Sequence, residues 1–217
     1  MTLAIFDLDN TLIAGDSDHL WGDWLVEKGI VDQQHYKDTN DQFYVDYQNG
    51  RLDIMAYLRF SLKVLAEHDM AQLHFWREQF LAEKLDAMWL PKAEALLQKH
   101  RDQGHTLMII TATNDFVTAP LADRLGVDHL IATVAECKRE RYTGNVAGIP
   151  SYRDGKVERL AEWLRANNEN LAGSWFYSDS HNDLPLLRKV DNPVAVDPDA
   201  TLEREARERG WPVISLR

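Results

Sequence analysis

The sequence predicts an α/β fold: a Rossmann-like three-layer αβα arrangement around a mainly parallel sheet, with a helical-bundle cap inserted in it. Two observations carry this. Short apolar runs alternate with segments of helical length over most of the chain. Residues 16–90 break that rhythm and read as almost wholly helical, as a small bundle does. The expected division is a core of residues 1–15 and 91–217 and a cap of residues 16–90.

The elements follow in order. "LAIF" is a first strand at the N-terminal tip. Four helical segments follow it: "DHLWGDWLVEKG", "QQHYKDTNDQFYVDYQNG", "DIMAYLRFSLKVLAEH" and "MAQLHFWREQFLAEKL". They hold more than half of the chain's aromatic residues, which fits rings filling a bundle core, with a minority facing the sheet as a pocket. Then "PKAEALLQKHRDQG" has Pro91 at a helix start and Gly104 at its stop. "TLMIIT" (106–111) is a second strand, and "HLIATV" (129–134), after the helical "FVTAPLADRLG", is a third. "AECKRERYTGNVAGIP" reads as an antiparallel hairpin at the sheet edge, with Lys138, Arg139 and Arg141 in a solvated turn. The helical "KVERLAEWLRANN" precedes "SWFYSD" (174–179); "NPVAVDP" (192–198) and "WPVISL" (211–216) complete the strands.

Composition narrows the function classes. The chain has 217 residues, 45% of them hydrophobic, and a formal charge of −11. A net acidic chain is a poor general binder of nucleic acid or anionic membranes, both of which reward basic patches. No apolar run spans a bilayer and no signal-peptide pattern is present, so a cytoplasmic location is expected. The single cysteine, Cys137, forms no internal disulfide and reads as an ordinary strand residue. The sequence does not specify an oligomeric state.

Several strands end in chemically capable residues, and ligands of open parallel sheets bind at the carboxyl ends of the strands. Strand one ends in Asp7 and Asp9, strand two in Thr111, and the "SWFYSD" strand in Asp179, followed by Asp183. Lys156 begins the helix before that strand and can approach the same edge. Carboxylates gathered in one crevice need a cation, and their hard oxygen atoms suit Mg²⁺. Asp7 can then act as nucleophile on phosphorus, and Asp9 as general acid and base. Thr111 and Lys156 can hold the remaining phosphoryl oxygens. Taken singly, Asp9 or Asp16 could cap a helix, Lys156 could be a surface lysine, and Asp183 could be an N-cap.

"FDLDNTL", "MIITAT", Lys156 in "YRDGKVERL" and "YSDSHNDLPLL" together resemble the four motifs of the haloacid dehalogenase superfamily of phosphohydrolases. A helical cap between the first two motifs is similar to the phosphoserine-phosphatase-like branch. The resemblance implies a phosphoaspartyl intermediate on Asp7 and acid–base work by Asp9. It also implies Mg²⁺ held by the Asp7 carboxylate, the Asp9 backbone carbonyl and Asp179, with Asp183 supporting the metal site. Asn182 is then expected to help position Lys156 or phosphate. The branch's cap glutamate, which reads a substrate amine, falls at Asp16, and Arg59 resembles its cap arginine, which reads a carboxylate. The chain departs from the branch at Ser178, where glycine is usual, and at Ala112, Thr113 and Asn114, where glycines follow the second motif.

The expected partner is a small-molecule phosphate ester. The chain is similar to branch members that hydrolyse histidinol phosphate, so a small amino-alcohol phosphate is the expected substrate, with that ester foremost. An imidazole-bearing leaving group suits the aromatic Trp21, Trp24 and Tyr57 and the nearby Asp16, Asp18 and Asp23. Phosphoserine, another small phosphate ester, and phosphoryl transfer or mutase chemistry on the same scaffold remain open. Trp21 and Trp24, three residues apart, could instead pack one helix face inward.

Overall fold

The computed structural model describes residues 2–217. The first strand, β1 (Leu3–Phe6), is followed by five helices: α1 (Ser17–Glu27), α2 (Gln33–Gln48), α3 (Ile54–Ser61), α4 (Lys63–Glu67) and α5 (Met70–Met88). Then come α6 (Pro91–Asp102), β2 (Thr106–Asn114), α7 (Asp115–Leu125), β3 (His129–Lys138), β4 (Arg141–Ala147) and α8 (Asp154–Asn167). The chain ends with β5 (Trp175–Ser178), α9 (Leu184–Leu187), β6 (Asn192–Val196), α10 (Ala200–Arg209) and β7 (Val213–Ile214).

The sheet order is β4-β3-β2-β1-β5-β6-β7, parallel except for the β3–β4 hairpin. All four residues of β1 are buried, as a central strand covered on both faces requires. Alternation along it separates two cores. Leu3 and Ile5 join Leu160 of α8, Leu186 of α9 and Leu202 of α10. Ala4 and Phe6 join Leu97 of α6, Leu121 of α7 and the cap residues Trp24, Leu58 and Phe80. The result is the expected three layers, with the inserted helices continuing one of them. Proline at the first position of α6 suits a helix start, because its missing N–H has no intrahelical partner there.

Three elements differ from expectation. The third cap segment is split at Leu62 into α3 and α4. The third apolar run continues without a break to Lys138, so β3 is also the first arm of the hairpin. The last apolar run pairs over only Val213 and Ile214. The hairpin turns through Arg139 and Glu140, both with positive φ (51° and 60°), as a two-residue turn of the favoured twist demands. Cys137 is exposed on β3. Where the chain leaves and rejoins the sheet, Ile13 and Trp89 bridge, and the Ala14 N–H donates to the Met88 carbonyl at 2.7 Å.

Candidate active site

The carboxyl ends of β1, β2 and β5 meet at the centre of the sheet. Asp7 is the first residue past β1, and its N–H still donates to the Tyr177 carbonyl of β5 at 2.9 Å. Its side chain is buried, and Oδ1 accepts a 2.8 Å bond from Lys156 Nζ in the first turn of α8. The same ammonium reaches Asp183 Oδ2 at 2.8 Å. Ser178 Oγ, at the end of β5, also donates to that oxygen at 2.8 Å. Ser178 thus helps to hold the acid that holds the lysine, a role not legible in its replacement of glycine.

Asp9 is gripped from both sides. Its Oδ1 accepts from the Ser17 N–H at 2.6 Å, where the cap begins. Its Oδ2 accepts from Thr113 Oγ1 at 2.8 Å and lies 3.4 Å from Thr111 Oγ1. Between the two acids and the cap the chain turns through Asn10, with φ 56°, bringing Thr11 back to Asp179. Thr11 Oγ1 donates to Asp179 Oδ1 and accepts from the Asp179 N–H, both at 3.1 Å. Thr11 and Thr113 were not among the expected site residues. Thr11 had a signal, because it is the threonine of "FDLDNTL"; Thr113 had none beyond its departure from glycine.

Burial dominates the electrostatics. It pushes Asp7 up to about 7, with Lys156 pulling down and Asp183 and Asp9 pushing further up. Burial and the Asp16 charge raise Asp9 to about 6 against bonds from Ser17 and Thr113. Asp179 is raised well above the carboxylate range by burial, Asp7 and Asp183. Burial works against the Lys156 charge, but Asp183 and Asp7 more than offset it and keep the ammonium protonated.

The donor set suits a hard divalent cation. Among the described residues, Asp7 and Asp183 share one ammonium, and no lysine or arginine pairs with Asp9 or Asp179. That leaves an excess of buried oxygen-borne negative charge, which Mg²⁺ would balance through Asp7, the Asp9 carbonyl and Asp179. Asp183 joins this set through Lys156. Among the described residues, the one triplet of side-chain donors within 4.8 Å of one another lies elsewhere, at His19, Asp23 and Asp41 of the cap. There Lys37 already sits 3.1 Å from Asp41 and 3.8 Å from Asp23.

Above this edge lies a cavity of about 550 Å³, its mouth included. Asp7, Asp9 and Thr111 line it at the sheet, and Asp16, Asp18 and the rings of Phe43, Tyr44 and Tyr57 line it from the cap. Neither lysine nor arginine is among its lining residues. Asp16 lines the cavity and also caps α1 through bonds to the Asp18 and His19 N–H groups at 3.0 and 2.9 Å.

Four residues expected near the substrate do not line the cavity. Trp21 is buried, stacked on Trp24 at 5.4 Å and edge-on to Phe80 and Phe116, because it lies a turn beyond Asp18 where α1 packs on α5 and α7. Trp24 is equally buried, its Nε1 donating to Glu83 at 2.9 Å. Arg59 is exposed on α3 and does not line the cavity. Tyr57 faces the cavity, and a residue two places on does not share its helix face. Asn182 holds neither Lys156 nor the cavity wall. Its Oδ1 accepts from Tyr152 Oη at 3.1 Å and Arg153 Nε at 3.0 Å, and its Nδ2 donates to the Tyr47 carbonyl at 3.2 Å. It therefore ties α2 of the cap to the core.

Comparison with known proteins shows the family and the fold. The haloacid dehalogenase-like hydrolase family matches over residues 4–188. A histidinol-phosphatase of Neisseria meningitidis is 46% identical over 99% of both chains. A phosphoserine phosphatase of Mycobacterium tuberculosis is 33% identical over 99% of this chain and 70% of its own. A crystal structure of a Bordetella pertussis protein of unknown function superposes with a TM-score of 0.94 at 40% identity, covering all of both chains. A substrate-bound phosphoserine phosphatase shares the fold, with a TM-score of 0.72 at 16% identity over 100% of this chain and 93% of that one.

Proposed function

The chain belongs to the haloacid dehalogenase-like hydrolases and is a phosphatase, and from that premise we propose that it is a Mg²⁺-dependent phosphomonoesterase for histidinol phosphate, acting through Asp7. The observation that carries the substrate is the cavity: acidic and aromatic, with no lysine or arginine in its lining. An ester carrying an ammonium group and a flat ring suits such a wall. Phosphoserine would bring a carboxylate against Asp16 and Asp18 with no lysine or arginine to meet it, Arg59 lying outside the lining. The 46% identical relative is named for the same ester.

The residues divide the work as follows. An Asp7 carboxylate oxygen attacks phosphorus as the ester P–O bond breaks, and the bond's electrons leave with the alcohol oxygen. Asp9 gives that oxygen its proton, which its raised pKa of about 6 makes available. Asp9 then takes a proton from water as the water attacks the aspartyl phosphate, and the Asp7–phosphorus bond breaks to release phosphate. Lys156 steadies Asp7 in the resting site and, with Thr111, meets the phosphoryl oxygens as charge builds on them. Mg²⁺, when bound, would neutralise phosphoryl charge and fix the line of attack. Domain organisation fits this reading, with residues 1–15 and 91–217 as catalytic core and 16–90 as the cap that reads the alcohol.

A panel of phosphate esters assayed with Mg²⁺ tests the assignment. Histidinol phosphate is expected to give the highest kcat/KM, well above phosphoserine. Efficient turnover of a sugar phosphate or phosphoserine with none of histidinol phosphate overturns it.

A further inference from the structure

The cap wall holds two carboxylates where a single amine needs one. Asp16 stands nearer the nucleophile, its charge bearing on Asp9 and Asp7. Asp18 is the second of the pair, and the groups that bear on it include Asp16, Tyr57, Asp9 and Asn114. It is 6% exposed and lines the cavity. Asn114 Nδ2 donates to its Oδ1 at 3.1 Å, and the Tyr57 side chain lines the same cavity. Among the described residues no cationic side chain pairs with it. Beside it, the Tyr57 and Phe43 rings meet edge to face at 5.4 Å and form an aromatic side to the same space.

We infer that Asp18 is a specificity-determining residue that accepts a hydrogen bond from a second nitrogen of the substrate, the ring N–H of a heteroaromatic group lying beyond the amine that Asp16 reads. This rests on the reading of the site as a phosphatase for a nitrogen-bearing alcohol and says how that alcohol is told from others. The chemistry is that of a buried acceptor. A buried acid held by a neutral amide, away from water, ionises most readily when a ligand brings an N–H or a positive charge to it. A ligand of the same shape without that nitrogen leaves the carboxylate unmatched and is rejected. The neighbouring rings would stack on or border a flat five-membered ring and hold its edge toward Asp18.

The test uses two product-like amino alcohols as competitive inhibitors of p-nitrophenyl phosphate hydrolysis by the full chain. Histidinol and phenylalaninol share the ammonium and a pendant ring, but only the first carries ring nitrogens. Wild-type protein is expected to bind histidinol at least about tenfold more tightly. Asp18→Asn is expected to bring the two inhibition constants within about threefold of each other. Tyr57→Phe, which keeps the carboxylate and the ring, is expected to retain the preference. A preference retained in Asp18→Asn, or absent from the wild type, overturns the inference. Should Asp18→Asn fail to fold, a preference lost in Tyr57→Phe assigns the ring nitrogen to the hydroxyl and overturns the inference alone. The assay does not depend on hydrolysis of histidinol phosphate, so failure of the substrate assignment shows separately, in the ester panel.

Discussion

Lys156 is the residue on which the site's electrostatics turn, because it alone answers Asp7 and Asp183 at 2.8 Å each. Removing one partner of such a buried set leaves charge without compensation. Asp7→Asn deletes the nucleophile, and steady-state assay is expected to show kcat down by about 10⁴-fold or more. Asp9→Asn separates proton donation from attack. Its kcat/KM is expected to fall by about 10²–10⁴ on an alkyl phosphate, and by much less on p-nitrophenyl phosphate, whose leaving group needs no proton. Equal losses on both esters would deny Asp9 its role as acid. Trp21→Ala belongs to another class. With Trp21 enclosed by Trp24, Phe80 and Phe116, the substitution is expected to cost about 3–5 kcal/mol of stability in a denaturant titration.

The turn ahead of α8 decides where Lys156 points. Tyr152 N–H returns to the Pro150 carbonyl and Gly155 N–H to the Tyr152 carbonyl, both at 2.9 Å. Arg153 holds φ 50° and ψ −119°, a conformation that strains any residue with a Cβ and that persists where contacts enforce it. Its guanidinium supplies them, bonding Asn182 Oδ1 at 3.0 Å and the Gly50 carbonyl of the cap at 2.5 Å. The backbone passes so close at Gly155 that an added Cβ would stand 2.1 Å from the Pro150 oxygen. Gly155→Ala must therefore shift the turn and the lysine next to it, and is expected to lower both Tm and kcat; an unchanged kcat would show that Lys156 is placed by its acid partners alone.

Little of this turn was legible in the sequence, although Lys156 was. Apolar runs, Pro91 and the four motifs report strands, helix starts and strand-end chemistry, all local features. Which face a cap helix turns to the cavity is set by packing between distant segments. That is why Tyr57 and Asp16 line the cavity while Trp21, Arg59 and Asn182 do not.

At the scale of the whole molecule, a chain of net charge −11 concentrates buried acids at one sheet edge, and this fixes how its stability depends on pH and metal. Asp7, Asp9 and Asp18 are raised from an ordinary 3.8 to about 7, 6 and 8, burial being the leading cause for each. The folded state then binds more protons than the unfolded chain between pH 4 and 8, so stability falls as pH rises through those values. His100 opposes this only on the acid side. Burial lowers it to about 4, so its contribution is lost as pH drops below 6.5. Between pH 6.5 and 8.5 the carboxyls dominate, and the Tm of metal-free protein is expected to decline across that window. Mg²⁺ held as proposed would favour the ionised acids and the folded site, so it is expected to raise Tm more at pH 8.5 than at pH 6.5, and the decline should flatten. EDTA should restore the slope, and Asp179→Asn should weaken the effect of Mg²⁺. A metal-free Tm that instead climbs through this window would mean that the buried carboxyls are ionised and already compensated without a cation.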